Sequence, residues 1–210
     1  MNCVRRAARK RAVAAAASPC RGFALSPGGC WTARSPPSGR FQGPLPEAWT
    51  PEQRRIGEEI TRSRSTGIRG PFGPWLANPA LADPAQQLGR VCRYETTLDL
   101  RRSELVILMT AAHHRSRTEW VIHEQEALRA GLEKDIIAAF REGHAPNLSD
   151  PTDAALFAFT AELLETSKVC DDTYAELQRQ IGDQGVVEVV GICGYYGLVA
   201  LTLNVFGVEP

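Results

Sequence analysis

Three features of the sequence predict an all-α fold, a compact bundle of about six to eight helices. Apolar residues return every three or four positions in successive stretches between Pro51 and Phe206, and no stretch sustains the alternation of a half-buried strand. Start and stop signals bracket these stretches: Thr50-Pro51, Asn78-Pro79, Asp83-Pro84 and Ser149-Asp150-Pro151 open them, and Gly131 and Gly182 follow others. The last stretch, VVEVVGICGYYGLVALTLNVF over 186–206, is apolar almost all round, as a helix enclosed by others must be.

Residues 1–46 stand apart from this pattern. They hold eight Arg or Lys residues, no Asp or Glu, and the prolines Pro19, Pro27, Pro36, Pro37, Pro44 and Pro46. Such a segment has too little apolar surface to fold, so a basic, disordered extension is expected, followed by one domain over 47–210. An acid-free, Arg-rich start also fits a mitochondrial transit peptide, or a true start codon further downstream. The expected compartment is the cytoplasm, or the mitochondrial matrix if the extension is a transit peptide.

Taken in order, the first helix begins after Thr50, with Pro51 at its first position and Gln53 placed to complete a capping box; Ile56 and Ile60 form its inner side. GIRGPFGP (67–74) reads as a loop leading to Trp75 and Leu76. A helix from Pro84 to about Glu95 is expected to bury Leu88, Val91 and Cys92. Two helices separated by Arg115–Thr118 span Glu104–Leu132, the second running from about Glu119 to Ala130, with Ser116 or Thr118 as its cap. Glu133–Glu142 turns Ile136, Ile137 and Phe140 inward. The helix after Asp150 carries the stripe Ala155, Leu156, Phe159, Leu163 and Leu164, and another follows Asp171 or Asp172. The 186–206 helix approaches the length of a membrane span. Glu188, Asn204 and three glycines interrupt it, so a core or subunit-interface helix is expected and no membrane partner.

Charge and cysteine usage exclude several classes. After Pro46, 16 of the 24 basic residues face all 24 acidic ones, a net charge of −8. An acidic domain gives no footprint for nucleic acid. Cys3, Cys20, Cys30, Cys92, Cys170 and Cys193 contain no Cys-x-x-Cys pair, neither a zinc spacing nor a secreted disulfide framework.

Chemistry concentrates in ELVILMTAAHHRSRTEWVIHEQEALRAGL (104–132). Glu104 is an acid in an otherwise apolar helical run. Glu119 and His123, four residues apart, share a helix face. A carboxylate on one helix and a carboxylate–imidazole pair on the next make a candidate proton-transfer cluster. His113 and His114 add imidazoles nearby, but the spacing is not that of a zinc-binding helix, and no metal is expected. Ser116 lacks the context of a hydrolase nucleophile.

The same stretch, with GPFGPWLANPALADPAQQLG (70–89) before it and GYYGLVALTLNVFGV at the C-terminus, resembles the carboxymuconolactone decarboxylase and alkylhydroperoxidase-D (AhpD-like) superfamily. Peroxidase members carry Glu-x11-Cys-x2-Cys-x3-His. Counted from Glu104, those places fall on Ser116, Glu119 and His123, so glutamate and histidine are kept and both cysteines are absent. The resemblance implies a cofactor-free enzyme with Glu104, Glu119 and His123 as catalytic residues, decarboxylating a small carboxylated lactone or related acid. It implies a pocket bordered by Ser116, Trp120 and Trp75, with Arg117 or Arg115 available to a substrate carboxylate, and assembly as a homotrimer or hexamer. Two alternatives stand beside it. One is a peroxidase with an antioxidant role, which the missing dithiol disfavours. The other is a non-enzymatic scaffold of the same fold.

Overall fold

The structure is a computed structural model and describes residues 40–64 and 67–210. Among these residues it contains eight α-helices, one 3₁₀ turn at Pro46–Ala48, and no strand. The helices are α1 (Pro51–Ser63), α2 (Phe72–Trp75), α3 (Pro79–Tyr94), α4 (Leu100–His113), α5 (Arg117–Arg129), α6 (Lys134–Glu142), α7 (Pro151–Thr166) and α8 (Asp171–Phe206). The expected basic extension falls mostly on residues 1–39, outside the described residues. Residues 40–46 lie against the end of α8: Arg40 donates to the Val205 carbonyl, Gln42 Nε2 donates to the Phe206 carbonyl at 2.8 Å, and Phe41 meets Phe206 edge-on. These contacts satisfy carbonyls that a helix C-terminus leaves without intrahelical donors.

α1 begins as its sequence dictates. Thr50 Oγ1 accepts from the Gln53 N–H, and Gln53 Oε1 accepts from the Thr50 N–H, a closed capping box. Ile56 and Ile60 are fully buried, each contributing about 1.5–3 kcal/mol of apolar burial. The glycine–proline segment read as a loop contains α2, one turn that seats Phe72 and Trp75 in the core.

α3 departs from expectation at both its start and its face. It opens at Pro79, and Pro84 sits inside it. Pro84 lies in the second turn, where its missing N–H costs one main-chain bond, yet the helix continues through it. Leu88 and Val91 are exposed, whereas Ala82, Ala85, Gln86, Gly89 and Cys92 face inward. Small residues win the inner face because α8 approaches closely. A Cβ on Gly89 would lie 2.1 Å from the Tyr195 hydroxyl.

α4 is the hub. Every residue from Ser103 to Ala112 is buried, and α5, α6, α7 and α8 all pack on it. Asp99 caps it by accepting from the Arg102 N–H. The hairpin turns at Arg115, whose φ of 52° is left-handed, so α5 folds back along α4. The break is shorter than expected because α5 begins at Arg117. Ser116 occupies the N-cap position but makes no side-chain cap bond, and Thr118 Oγ1 donates instead to the Val208 carbonyl at 2.6 Å.

An ion network joins the N-termini of α4 and α7. Asp153 is 2% exposed and receives Arg101 Nη1 at 2.6 Å and Arg102 Nε at 3.0 Å. Asp99, Asp150 and Glu133 surround the two arginines.

α8 runs through the break expected at 182–185 and kinks at Gly182, whose φ of 71° suits glycine. Beyond the kink, Val189, Ile192, Tyr196, Val199 and Leu203 face the core. This helix is long and apolar enough to cross a membrane, yet 61% of its most apolar window is buried inside the fold. Val187, Val190, Leu198, Leu201 and Val205 remain exposed along one side.

Candidate functional site

Four elements bring titratable side chains to one place. Glu104 stands in the second turn of α4, Glu119 and His123 on the inner face of α5, Arg93 in the last turn of α3, and Tyr196 on α8. Because α5 folds back on α4, a residue well before the corner meets one well after it. His123 Nδ1 lies 2.7 Å from Glu104 Oε2. This distance places the Nδ1 proton toward the carboxylate and leaves Nε2 facing Glu119. Glu119 Oε2 is 3.4 Å from Nε2, within ion-pair distance but too poorly aligned for a hydrogen bond. The three side chains thus form one Glu–His–Glu chain with less than a tenth of their surface exposed.

Burial raises the Glu119 pKa above the usual carboxyl range. His123 and Arg93 oppose the shift, and Glu104 adds to it. The shift is toward the neutral form, the one that can supply a proton. Burial also lifts the Tyr196 phenol, which stays protonated despite the nearby Arg93 cation. The Tyr196 ring meets His123 edge-on at 5.0 Å and holds the imidazole plane.

Three buried oxygens here have no hydrogen-bond partner: Glu104 Oε1, Glu119 Oε2 and Ser116 Oγ. Native interiors seldom leave such atoms unpaired. Ser116, Glu119 and His123 follow one another at three- and four-residue spacing, so all three lie along one side of α5. The arrangement can pass a proton between a ligand, Glu119 and His123, with Glu104 stabilising the imidazole.

The other residues singled out from the sequence are placed differently. Trp75 is buried, donates to Thr202 Oγ1 at 3.0 Å, and reaches His123 only through Tyr195 and Tyr196. Trp120 donates to Glu124, and Arg141 lies over its ring, so its polar edge faces the α6 side. Arg115 and Arg117 are exposed at the corner and do not serve as the cation of the cluster. His113 and His114 meet each other edge-on, near Glu165 and Gly197 respectively. Among the described residues, no group of three His, Cys, Asp or Glu side chains has metal-binding geometry.

Arg93 is the residue sequence reasoning missed. Its Nη1 lies 3.3 Å from both His123 ring nitrogens, 3.4 Å from the Tyr196 hydroxyl and 3.8 Å from Glu104 Oε1. The available signal was its phase: position 93 continues the inner series Ala82, Gln86 and Gly89 of α3.

A family model described as the carboxymuconolactone decarboxylase family matches residues 79–162, the segment that carries Arg93, Glu104, Glu119 and His123. Over that segment the chain is similar to this family. Solved structures agree at the level of fold. An uncharacterised peroxidase-related protein from Silicibacter sp. superposes with a TM-score of 0.66 at 12% identity, covering 83% of this chain and 93% of that one. The debrominase Bmp8, solved with 2,3,4-tribromopyrrole, gives 0.64 at 12% identity over 82% of this chain and 92% of its own. A protein of unknown function from Agrobacterium tumefaciens, described as a putative antioxidant defence protein AhpD, gives 0.59 at 15% identity, covering 68% and 99%. No curated protein sequence matches. In the resemblance to AhpD-like peroxidases, counted from Glu104, Ser116 and Glu119 stand at the places of the two cysteines.

The raised Glu119 pKa sets a pH dependence. A group whose folded pKa lies above its unfolded value contributes stability that is complete below the unfolded pKa, near 4.5 here, and that fades as pH rises through the folded pKa. Glutamine imitates the neutral acid. Glu119→Gln is therefore expected to flatten the decline in thermal midpoint as pH rises above 4.5. Parallel curves for variant and parent across that range would show that Glu119 is not held neutral.

Proposed function

We propose that this protein is a cofactor-free acid/base enzyme of the carboxymuconolactone decarboxylase kind, acting on a small carboxylated lactone or related acid. The observation that carries the reading is the buried Glu104–His123–Glu119 chain, whose outer acid is shifted by burial toward its protonated form. In such a reaction the bond to the carboxylate carbon breaks and carbon dioxide leaves. The electron pair moves into the neighbouring carbonyl as an enolate, and one proton from the protein forms the new C–H bond. Glu119 supplies that proton, a solvent proton taken up at His123 Nε2 restores it, and Glu104 holds the Nδ1 proton in place.

The dithiol peroxidase reading finds less support. It needs a low-pKa thiolate beside a second thiol. Burial raises the Cys92 thiol and pushes Cys193 up to about 11. The remaining described cysteine, Cys170, is exposed at the start of α8. That one fold neighbour is a debrominase supports small-molecule chemistry in this architecture without a shared substrate. A carboxylated γ-lactone incubated with the protein in D₂O is expected to release carbon dioxide and gain one deuterium at the former carboxyl-bearing carbon. Hydroperoxide turnover dependent on a thiol reductant, with no carbon dioxide released, would replace this reading with the peroxidase one.

The exposed α8 stripe supports assembly as a trimer or hexamer. Val187, Val190, Leu198, Leu201 and Val205 recur at helical spacing beyond what the domain covers. Leu203 faces the core instead, so a charge there tests folding, not assembly. Leu201→Glu is expected to lower the mass measured by light scattering at micromolar concentration while the fold is kept. A parent protein that is monomeric under those conditions would end the proposal.

A further inference from the structure

We propose that Arg93 is the carboxylate anchor of this site, receiving an anionic group of the ligand where the buried acid/base chain meets solvent. The inference deepens the reading above and rests on it for the class of compound. Its own basis is geometry. The Arg93 side chain is 21% exposed, whereas the side chains of Glu104, Glu119 and His123 are at most 6% exposed. Of the charged groups at the cluster, Arg93 therefore touches both solvent and the histidine. A molecule reaching His123 from this side passes its guanidinium.

The guanidinium is held, but its fork is not closed. Nε lies 3.1 Å from the Tyr94 hydroxyl, and Nη1 faces His123 and Tyr196. Two carboxylates flank it, Glu104 and Glu126, each at 3.8 Å and beyond hydrogen-bond reach. A guanidinium between two acids ordinarily closes two parallel bonds on one of them. Here neither acid is engaged that way, and among the described residues Nη2 has no hydrogen bond shorter than that 3.8 Å contact.

Electrostatics give the same answer. A ligand carboxylate entering beside Glu104 would meet a buried negative charge. At such short range, away from bulk water, like charges repel strongly. A cation between them turns that repulsion into a shared ion pair, and Arg93 is already positioned 3.8 Å from Glu104 Oε1. The planar fork matches the two oxygens of a carboxylate, whereas a lysine would offer only a point charge. The ligand class that follows is a small compound bearing a carboxylate on the carbon beside a carbonyl.

The test is equilibrium binding, read from the Arg93 Nε–H resonance for the parent and from ring ¹⁵N shifts of His123 for all proteins. The probes are 2-oxotetrahydrofuran-3-carboxylate, whose carboxylate sits on the carbon beside the lactone carbonyl, the neutral γ-butyrolactone, and inorganic phosphate. Arg93→Gln is expected to weaken the lactone carboxylate about 10- to 100-fold, the loss typical of a charged hydrogen-bonded contact. γ-Butyrolactone binding should be unchanged. Arg93→Lys, which keeps the charge and guards against a folding defect, should fall between. Equal loss for both lactones, no loss for the carboxylate, or no binding of the carboxylate to the parent would overturn the anchor. Phosphate binding as tightly as the carboxylate would overturn its specificity. Carboxylate binding that depends on Arg93 without carbon dioxide release leaves the anchor standing and removes the decarboxylase reading. Release unaffected by Arg93→Gln does the reverse.

Discussion

His123→Ala is expected to lower turnover by roughly 10² to 10⁴, the usual loss when a positioned proton-transfer group is removed. Glu104→Gln is expected to approach that loss while changing almost no volume. The argument lies in the 2.7 Å contact between Glu104 Oε2 and His123 Nδ1. A glutamine can still accept from Nδ1–H, but it cannot balance the imidazolium that forms when Nε2 takes a proton. The two changes should also be strongly non-additive, because both act on one imidazole. Rates of each variant and of the double variant, with the thermal midpoint as a control for folding, settle the matter. Near-full activity in either single variant, with the fold intact, would make that residue structural.

Asp153→Ala is expected to be the most destabilising change at a polar position. Removing one partner from a buried ion pair costs about 3–5 kcal/mol, because the remaining charge loses its compensation. Arg101 and Arg102 are each about a quarter exposed and retain Glu133, Asp99 and Asp150. The loss should therefore fall near the lower end, about 3 kcal/mol, which lowers the thermal midpoint by roughly 6–12 °C for a domain of this size. Glu133→Ala removes only an exposed partner and should cost under about 1 kcal/mol. Similar midpoints for the two variants would show that the network is a solvated surface cluster.

The α4–α5 hairpin shows how far spacing reaches. Glu119 and His123 sit four apart, so any helix through them shares their face, and the apolar run around Glu104 admits only a buried helix. Helix type and the pairing on α5 needed no tertiary information. α3 shows the opposite. Its strongest apolar residues, Leu88 and Val91, suggest one inner face, yet the helix turns its small residues inward. Which face is inner depends on how closely α8 approaches, and Tyr195 against Gly89 decides it. Ser116 gives a similar lesson. Its type and place suit a helix cap, but the hydroxyl is buried without a partner beside the cluster.

By itself the sequence determined the all-helical class, the capping of α1 and α7, the pairing of Glu119 with His123, and the absence of a Cys-x-x-Cys pair. Each is a local property, set by residue type and by spacings of three or four. Only the tertiary structure decided that Glu104 meets His123 and that burial raises the Glu119 pKa. It also decided that the cluster's cation is Arg93, not Arg115 or Arg117. Those facts depend on the left-handed turn at Arg115 and on the register between α3, α4 and α8. Register is fixed by the packing of side chains far apart in the chain, which no local spacing encodes.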